Sequence, residues 1–370
     1  MKNPALVELI ANKTGVVIVF IALALFAILG LVALALDVGF MYGVKGQLQS
    51  AADASALAGA GSLYPVNSST PPPTFPSPNF VKAEASAKAF AKENKVAGAY
   101  LADTNIVSIE SGYWNLEQDP LGLQALTTPT GKCSVSGAPS ASGAPCTSSA
   151  GCPASETCLI QDVPAIQVKV RKPVPTFFAK LLGWDQFTPE ATATAAIGYP
   201  QSGKGIFPVA VTKCMVENYF SQDPMPNPPT QVRIGGPYGS VVPGCSSGQW
   251  TSLTTGRNDV PTMKELMDGS LEHIKIGELI WIDPGAKDAL FQYLEAKFIG
   301  RTVELPMVGD VALSTNTQTP ITGFVYFKIE GTDNASKEII GHFVHYYKDE
   351  HSTRLGGAKY NGVTQPILVE

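Results

Sequence analysis

The chain has 370 residues, with 26 Lys+Arg against 31 Asp+Glu and a net charge of −5 at pH 7. Both signs are dispersed along it, which excludes the basic face that grips nucleic acid. Apolar residues make up 45%, enough for a folded core once an N-terminal apolar run is set aside, and a low 15% of charged residues with 35 Gly and 29 Pro suits an exported domain.

Residues 1–14 carry Lys2 and Lys13 against Glu8. Residues 15–36 then form an unbroken apolar stretch stopped by Asp37, and 15 of these 22 are Val, Ile, Leu or Phe. At about 1.5 Å per residue the stretch makes roughly 33 Å of helix, against a bilayer hydrocarbon core of about 30 Å. Such side chains favour insertion by about 0.3 to 0.6 kcal/mol each, with no charge in opposition. Ala33-Leu34-Ala35 has the form of a signal-peptidase site, but the apolar part of a cleaved signal runs only about 7 to 15 residues. The stretch is therefore expected to be a retained transmembrane helix. The basic bias before it sets residues 1–14 in the cytoplasm and the remainder outside. Six cysteines, all beyond the span, fit an oxidising compartment. No second run approaches the length of a span, so a single pass through lipid is expected.

Helical spacing continues past Asp37 through Met41, Val44, Leu48, Ala51, Ala52, Ser55 and Ala58. One helix is expected to reach Leu63, with 37–63 as its extramembrane part, until Pro65 and the Pro/Ser-rich 67–78 end it. Small residues recur at i, i+4, i+8 in Ala35, Gly39 and Gly43 and again in Ala51, Ser55 and Gly59, a spacing that lets a second helix approach closely. These six form the candidate helix-packing interface. Packing against the chain's own domain is the other reading of the same stripe.

The run Ala35-Leu36-Asp37-Val38-Gly39-Phe40-Met41-Tyr42, followed by Gln47-Leu48-Gln49-Ser50-Ala51-Ala52-Asp53-Ala54-Ser55-Ala56-Leu57-Ala58, resembles the N-terminal region of TadG-like proteins of the Tad/Flp pilus-assembly system. There an apolar span ends in Asp-x-Gly and leads into an alanine-rich helix. A shorter likeness lies at Pro175-Thr176-Phe177-Phe178-Ala179-Lys180-Leu181-Leu182-Gly183 and in the following Ala191–Ala196. The resemblance implies a bacterial envelope protein linked to a surface pilus or secretion apparatus. Two departures bound it. Class III prepilins place Glu five residues after the cleavage-site Gly, and Phe20 stands there here, which argues against prepilin-type processing. Some TadG-like proteins carry a von Willebrand A domain with an Asp-x-Ser-x-Ser metal motif. The nearest run, Asp53-Ala54-Ser55-Ala56-Leu57, lacks the last Ser and falls within the helix, so no such domain is expected.

The exported part is expected to be α+β with mainly antiparallel sheets, in two regions, 79–200 and 205–370. Residues 79–100 read as a polar helix. Residues 106–114, 163–171, 190–197 and 205–212 read as strands by β-branched alternation. Between the first two strands, 115–161 is rich in Gly, Ser, Pro and Ala, and such a segment needs a restraint other than a core. Cys133, Cys146, Cys152 and Cys158 supply it. Their spacing lacks the close pair with which zinc sites open, so two disulfides are expected, in any of three pairings. Cys214 and Cys245 are left to pair with each other. In the second region, 262–269 and 285–298 read as helices, and 275–282, 301–313, 321–329 and 338–346 as strands.

Catalytic signatures are weak. Gly198-Tyr199-Pro200-Gln201-Ser202-Gly203-Lys204-Gly205 nearly spells a phosphate-binding loop, but Gly205 stands where a magnesium-binding hydroxyl is needed and a strand follows. A turn is the better reading. His342 and His345, three apart on a strand, face opposite sides and make a poor metal pair. Asp283 before Pro284-Gly285 reads as a turn or a helix cap. Together these observations lead to a non-enzymatic, cofactor-free membrane component of a Tad-type pilus apparatus. Its expected contacts are lipid, pilin-like or assembly subunits and a second copy of itself, with the exported part periplasmic or on the cell surface. The alternative is an anchored, adhesin-like module that binds through the Cys-rich insertion.

Overall fold

In the computed structural model the described residues are 13–64, 77–118, 120–125, 131–134, 144–147, 152, 157–221, 229–235, 245–246, 248–269, 273–284, 288–309, 313–344, 347–348, 355 and 362–369. Contacts divide the chain into two units. One comprises Met1–Ser55, Lys88–Ile109 and Val168–Ala193; the other comprises Ala56–Ala87, Glu110–Gln167 and Thr194–Glu370. The divisions fall inside continuous helix and strands, so several elements run through both.

Helix α1 spans Lys13–Gly61, 49 residues, as the spacing predicts. It is long and apolar enough to cross a membrane, and among the described residues none of its most apolar stretch is buried. Helix α2 is Phe80–Glu93, shorter than the expected 79–100. At Ala97 and Gly98 the backbone enters positive φ, and Lys95–Val96 folds back on Ala99–Tyr100 as a hairpin. Two consecutive residues with φ above zero make the tight turn that matches strand twist, which alanine content alone does not signal.

The next elements are β1 (Ile106–Asn115), β2 (Leu123–Gln124), β3 (Asp162–Arg171) and β4 (Glu190–Ala196). The chain continues with β5 (Val209–Thr212), α3 (Lys213–Phe220), β6 (Val232–Ile234), β7 (Gln249–Leu253) and α4 (Val260–Met267). It closes with β8 (Leu279–Ile282), α5 (Asp288–Lys297), β9 (Thr302–Val308), β10 (Thr317–Asp333), β11 (Glu338–Phe343) and β12 (Ile367–Leu368). The fold class is the expected one: a long apolar N-terminal helix followed by α+β structure with mainly antiparallel pairing.

One sheet has five strands in the order β12-β4-β3-β1-β2. Its small apolar cluster joins Trp114, Val163, Ala165, Ala196 and Leu355. The second sheet has seven strands, β6-β11-β10-β8-β7-β5-β9, and closes on itself. The seventeen-residue β10 makes the closure. Its first part, Thr317–Pro320, pairs with β8, and from Ile321 onward it pairs with β9. Only β5 and β9 run parallel in this ring. Closure leaves those strands without free edges, which removes the hazard of edge-to-edge association. A large core of Trp250, Phe207, Phe327, Phe343 and aliphatic residues belongs to this sheet, joined by Met215, Val216 and Tyr219 of α3, Met263 and Leu266 of α4, and Phe291 and Leu294 of α5.

Helix α3 and strand β7 are absent from the sequence expectations. Thr212 caps α3 by accepting a hydrogen bond from the Met215 amide at 3.4 Å. The expected strand 275–282 is split by a turn at Gly277, where φ is +106°. The expected strand 205–212 begins only at Val209.

Cys214 of α3 is bonded to Cys245, with Cα atoms 5.6 Å apart. The bridge spans 31 residues of chain, and Cys245 lies in the large core. Replacing both cysteines by Ser is expected to cost roughly 3 to 4 kcal/mol, the chain entropy of a loop of that length. The midpoint of urea unfolding, followed through core tryptophan fluorescence, reads this directly. An unchanged midpoint would show that the core holds the loop closed without the bridge.

Candidate assembly surface

Helix α1 carries two different surfaces beyond residue 36. From Asp37 a stripe of Asp37, Val44, Leu48, Ala51, Ala52, Ser55, Ala56 and Ala60 is buried. Ala35, Gly39 and Gly43 are exposed, and a Cβ added to either glycine would meet nothing within 4 Å. At 3.6 residues per turn, Ala35 and Ala51 lie about 160° apart around the axis. The six small residues named from sequence thus fall into two sets on roughly opposite faces. Ala51, Ser55 and Gly59 face the chain's own fold. A Cβ on Gly59 would sit 3.0 Å from Ala87 Cβ and Ile166 Cγ2 and 3.1 Å from the Ala83 carbonyl. Ala35, Gly39 and Gly43, with Gly46 between further turns, remain an open face of backbone.

The buried stripe begins with a carboxylate clamp that the sequence reading missed. The Asp37 side chain accepts three backbone hydrogen bonds, from Phe177 at 2.7 Å, Phe178 at 2.9 Å and Ala179 at 2.6 Å. Ala179–Leu182 is a short 3-10 turn, and Asp37 takes the amides that its start leaves unpaired. Burial pushes the carboxyl upward, but the three amides and the charge of Lys180 outweigh it and hold the group below the ordinary carboxylate value. Further along, Gln47 Oε1 accepts from the Ala97 amide at 2.7 Å, and Gln49 Nε2 donates to Asp53 Oδ1 at 2.8 Å and to the Thr192 carbonyl at 3.0 Å. Gln47 therefore ties the helix to the Ala97 hairpin and Gln49 ties it to β4, while Asp53 holds the Gln49 amide from within the helix. A single charge directly after an apolar span was the one signal in the sequence that pointed at Asp37.

The four insertion cysteines pair as Cys133–Cys152 and Cys146–Cys158. They join a short three-stranded sheet of Gly131–Ser134, Pro145–Cys146 and Thr157–Ile160. The sulfurs of Cys133, Cys146 and Cys152 lie within 4.8 Å of one another, and all three are held in these bridges. No other cluster of three or more potential metal ligands occurs among the described residues.

The remaining sequence candidates have structural roles. Ser202–Lys204 is a strand paired with His273–Lys275, and Gly205 turns the chain with φ at +71°. No helix N-terminus follows to face a phosphate. His342 Nδ1 lies 3.0 Å from Glu330 Oε1, and His345 falls outside the described residues. Asp283 is buried and accepts from Ser252 Oγ at 3.2 Å. Burial pushes the phenols of Tyr199 and Tyr219 up to about 12. Asp103, Asp259, Asp268 and Asp333 are held low by hydrogen bonds from Lys92, Thr262, Lys297 and the Ser336 amide respectively. Each of these groups moves away from neutrality, the opposite of what a general acid or base requires.

Comparison with known families bears out the resemblance. Residues 15–62 match the TadE/G-like Flp pilus-assembly family, and residues 58–195 match the Tad-like Flp pilus-assembly family. No curated protein and no solved structure matches the chain.

Proposed function

We propose that this chain, which carries both Tad-type pilus-assembly regions over residues 15–195, is a non-enzymatic, membrane-anchored subunit of a Tad/Flp pilus-assembly apparatus. It acts by helix packing. The apolar part of α1 holds it in the bacterial inner membrane, with residues 1–14 in the cytoplasm and the disulfide-bearing part in the periplasm or on the cell surface. The face of Ala35, Gly39, Gly43 and Gly46 receives a helix of another assembly subunit or of a second copy. The observation that carries this reading is the division of the small residues. One set is consumed by the chain's own fold, while the set beside the membrane span is left bare. Small residues permit close approach of two helix backbones, and this face begins at the end of the span and continues beyond it.

The test is a double substitution, Gly39→Leu with Gly43→Leu. Apart from the local backbone of α1 itself, no atom of the described fold lies within 4 Å of the added Cβ positions, so folding is expected to be intact. Co-purification with assembly subunits from detergent-solubilised membranes is expected to be lost. Retention of every partner at the wild-type yield would remove this face from the assembly and leave the reading without its main support.

A further inference from the structure

We propose that segment 176–185 is a second membrane contact, a loop whose apolar side chains enter the lipid interface next to the point where α1 emerges. The proposal rests on the anchoring reading above and adds a contact that a single-pass anchor does not require. Asp37 fixes the level of the loop. It is the first charge after the apolar stretch, so it stands at the membrane–water boundary, and its carboxylate holds the amides of Phe177, Phe178 and Ala179. Phe40, within one turn of Asp37, meets the Phe177 ring edge-on with centroids 5.2 Å apart.

At that level the loop exposes an unusual set of side chains. Leu181 is 81% exposed, Leu182 77% and Trp184 60%, and Phe177 and Phe178 are also uncovered. In water this many large apolar groups on ten residues is costly. Within a headgroup layer it is favourable, because Trp and Phe settle at the interface and Lys180 reaches outward with its ammonium while its stem stays among the lipids. The backbone of the loop also suits lipid. Besides the three amides taken by Asp37, Thr176 donates to the Asp185 carbonyl, Leu181 to Phe178, Gly183 to Lys180 and Trp184 to Ala179. The Thr176 hydroxyl donates to the Trp184 carbonyl at 2.5 Å. Seven of the loop's backbone amides are thus paired while its large apolar side chains are exposed, which lowers the cost of entering a medium with little water to pair with. Gly183, at φ +89°, makes the turn that brings Trp184 back beside the short helix. A bilayer is the occupant that the position dictates, because the same carboxylate marks both the end of the span and the base of the loop.

The test uses the full chain in phosphatidylcholine vesicles with brominated acyl chains, which quench only tryptophan that touches them. Wild-type fluorescence is expected to lose a component relative to ordinary phosphatidylcholine vesicles, and Trp184→Phe to abolish that loss. In the double variant Leu181→Glu, Leu182→Glu, the bromine-sensitive component is expected to vanish while aqueous iodide becomes an effective quencher. Flotation of the vesicles reports the anchor separately. Wild-type protein that floats with a Trp184 quenched by iodide and not by bromine overturns the loop contact and leaves the anchor standing. Protein that does not float overturns both.

Discussion

Replacing Asp37 by Ala is expected to free segment 176–185 and raise the rate of tryptic cleavage after the exposed Lys180 by roughly tenfold or more, the scale of losing one charge-assisted hydrogen bond to local opening. Three amides lose their acceptor together. Asp37→Asn should fall between, since the amide keeps one accepting oxygen and presents a donor where the second stood. The pH dependence follows from the sign of the displacement. The folded carboxyl lies below its ordinary value, so the clamp is at full strength above the ordinary carboxylate range and weakens as pH falls through the depressed value. Cleavage by an acid-active protease should therefore accelerate in the wild type as pH drops through that window. In Asp37→Ala the acceleration should be absent, and an equally steep rise there would place the acid sensitivity elsewhere.

The clamp also marks where sequence reading ends. Its acceptor and donors lie 140 to 142 residues apart, and the donors are backbone amides, which carry no residue-type signature. Helix α1 was legible because an apolar run, alanine-rich periodicity and Pro65 agree along one stretch of chain. Strands such as β1 and β3 were legible from alternation alone. Helix α3 was not, because eight residues give barely two turns of pattern and its cap, Thr212, also ends a strand. The ring around the large core was hidden for a related reason. The expected strand 321–329 omits the segment Thr317–Pro320 that pairs with β8 and closes the order. Six cysteines announced disulfides, but the choice between pairings depends on the three-stranded arrangement of the insertion. The two sets of small residues share one spacing, so only the helical phase between them, about 160° from Ala35 to Ala51, separates a surface from a core.

That phase leads to the second large effect. Gly59→Leu is expected to destabilise the fold by about 1 to 3 kcal/mol or more, because the new side chain would begin 3.0 Å from both Ala87 Cβ and Ile166 Cγ2 and 3.1 Å from the Ala83 carbonyl. Two of these neighbours are on α2, whose buried positions Ala83, Ala87 and Ala91 are themselves small, so α2 can yield only by moving away as a unit. Gly39→Leu and Gly43→Leu have the opposite expectation. They meet nothing, and replacing glycine within a helix removes a cost of roughly 0.5 to 1 kcal/mol. Thermal unfolding of the three variants in the same detergent should place Gly59→Leu well below wild type and the other two at or above it. A Gly59→Leu variant that melts with wild type would mean that α2 is free to separate from α1. It would also reopen the question of which small-residue face meets another subunit, since the argument for Gly39 and Gly43 depends on Gly59 being already occupied.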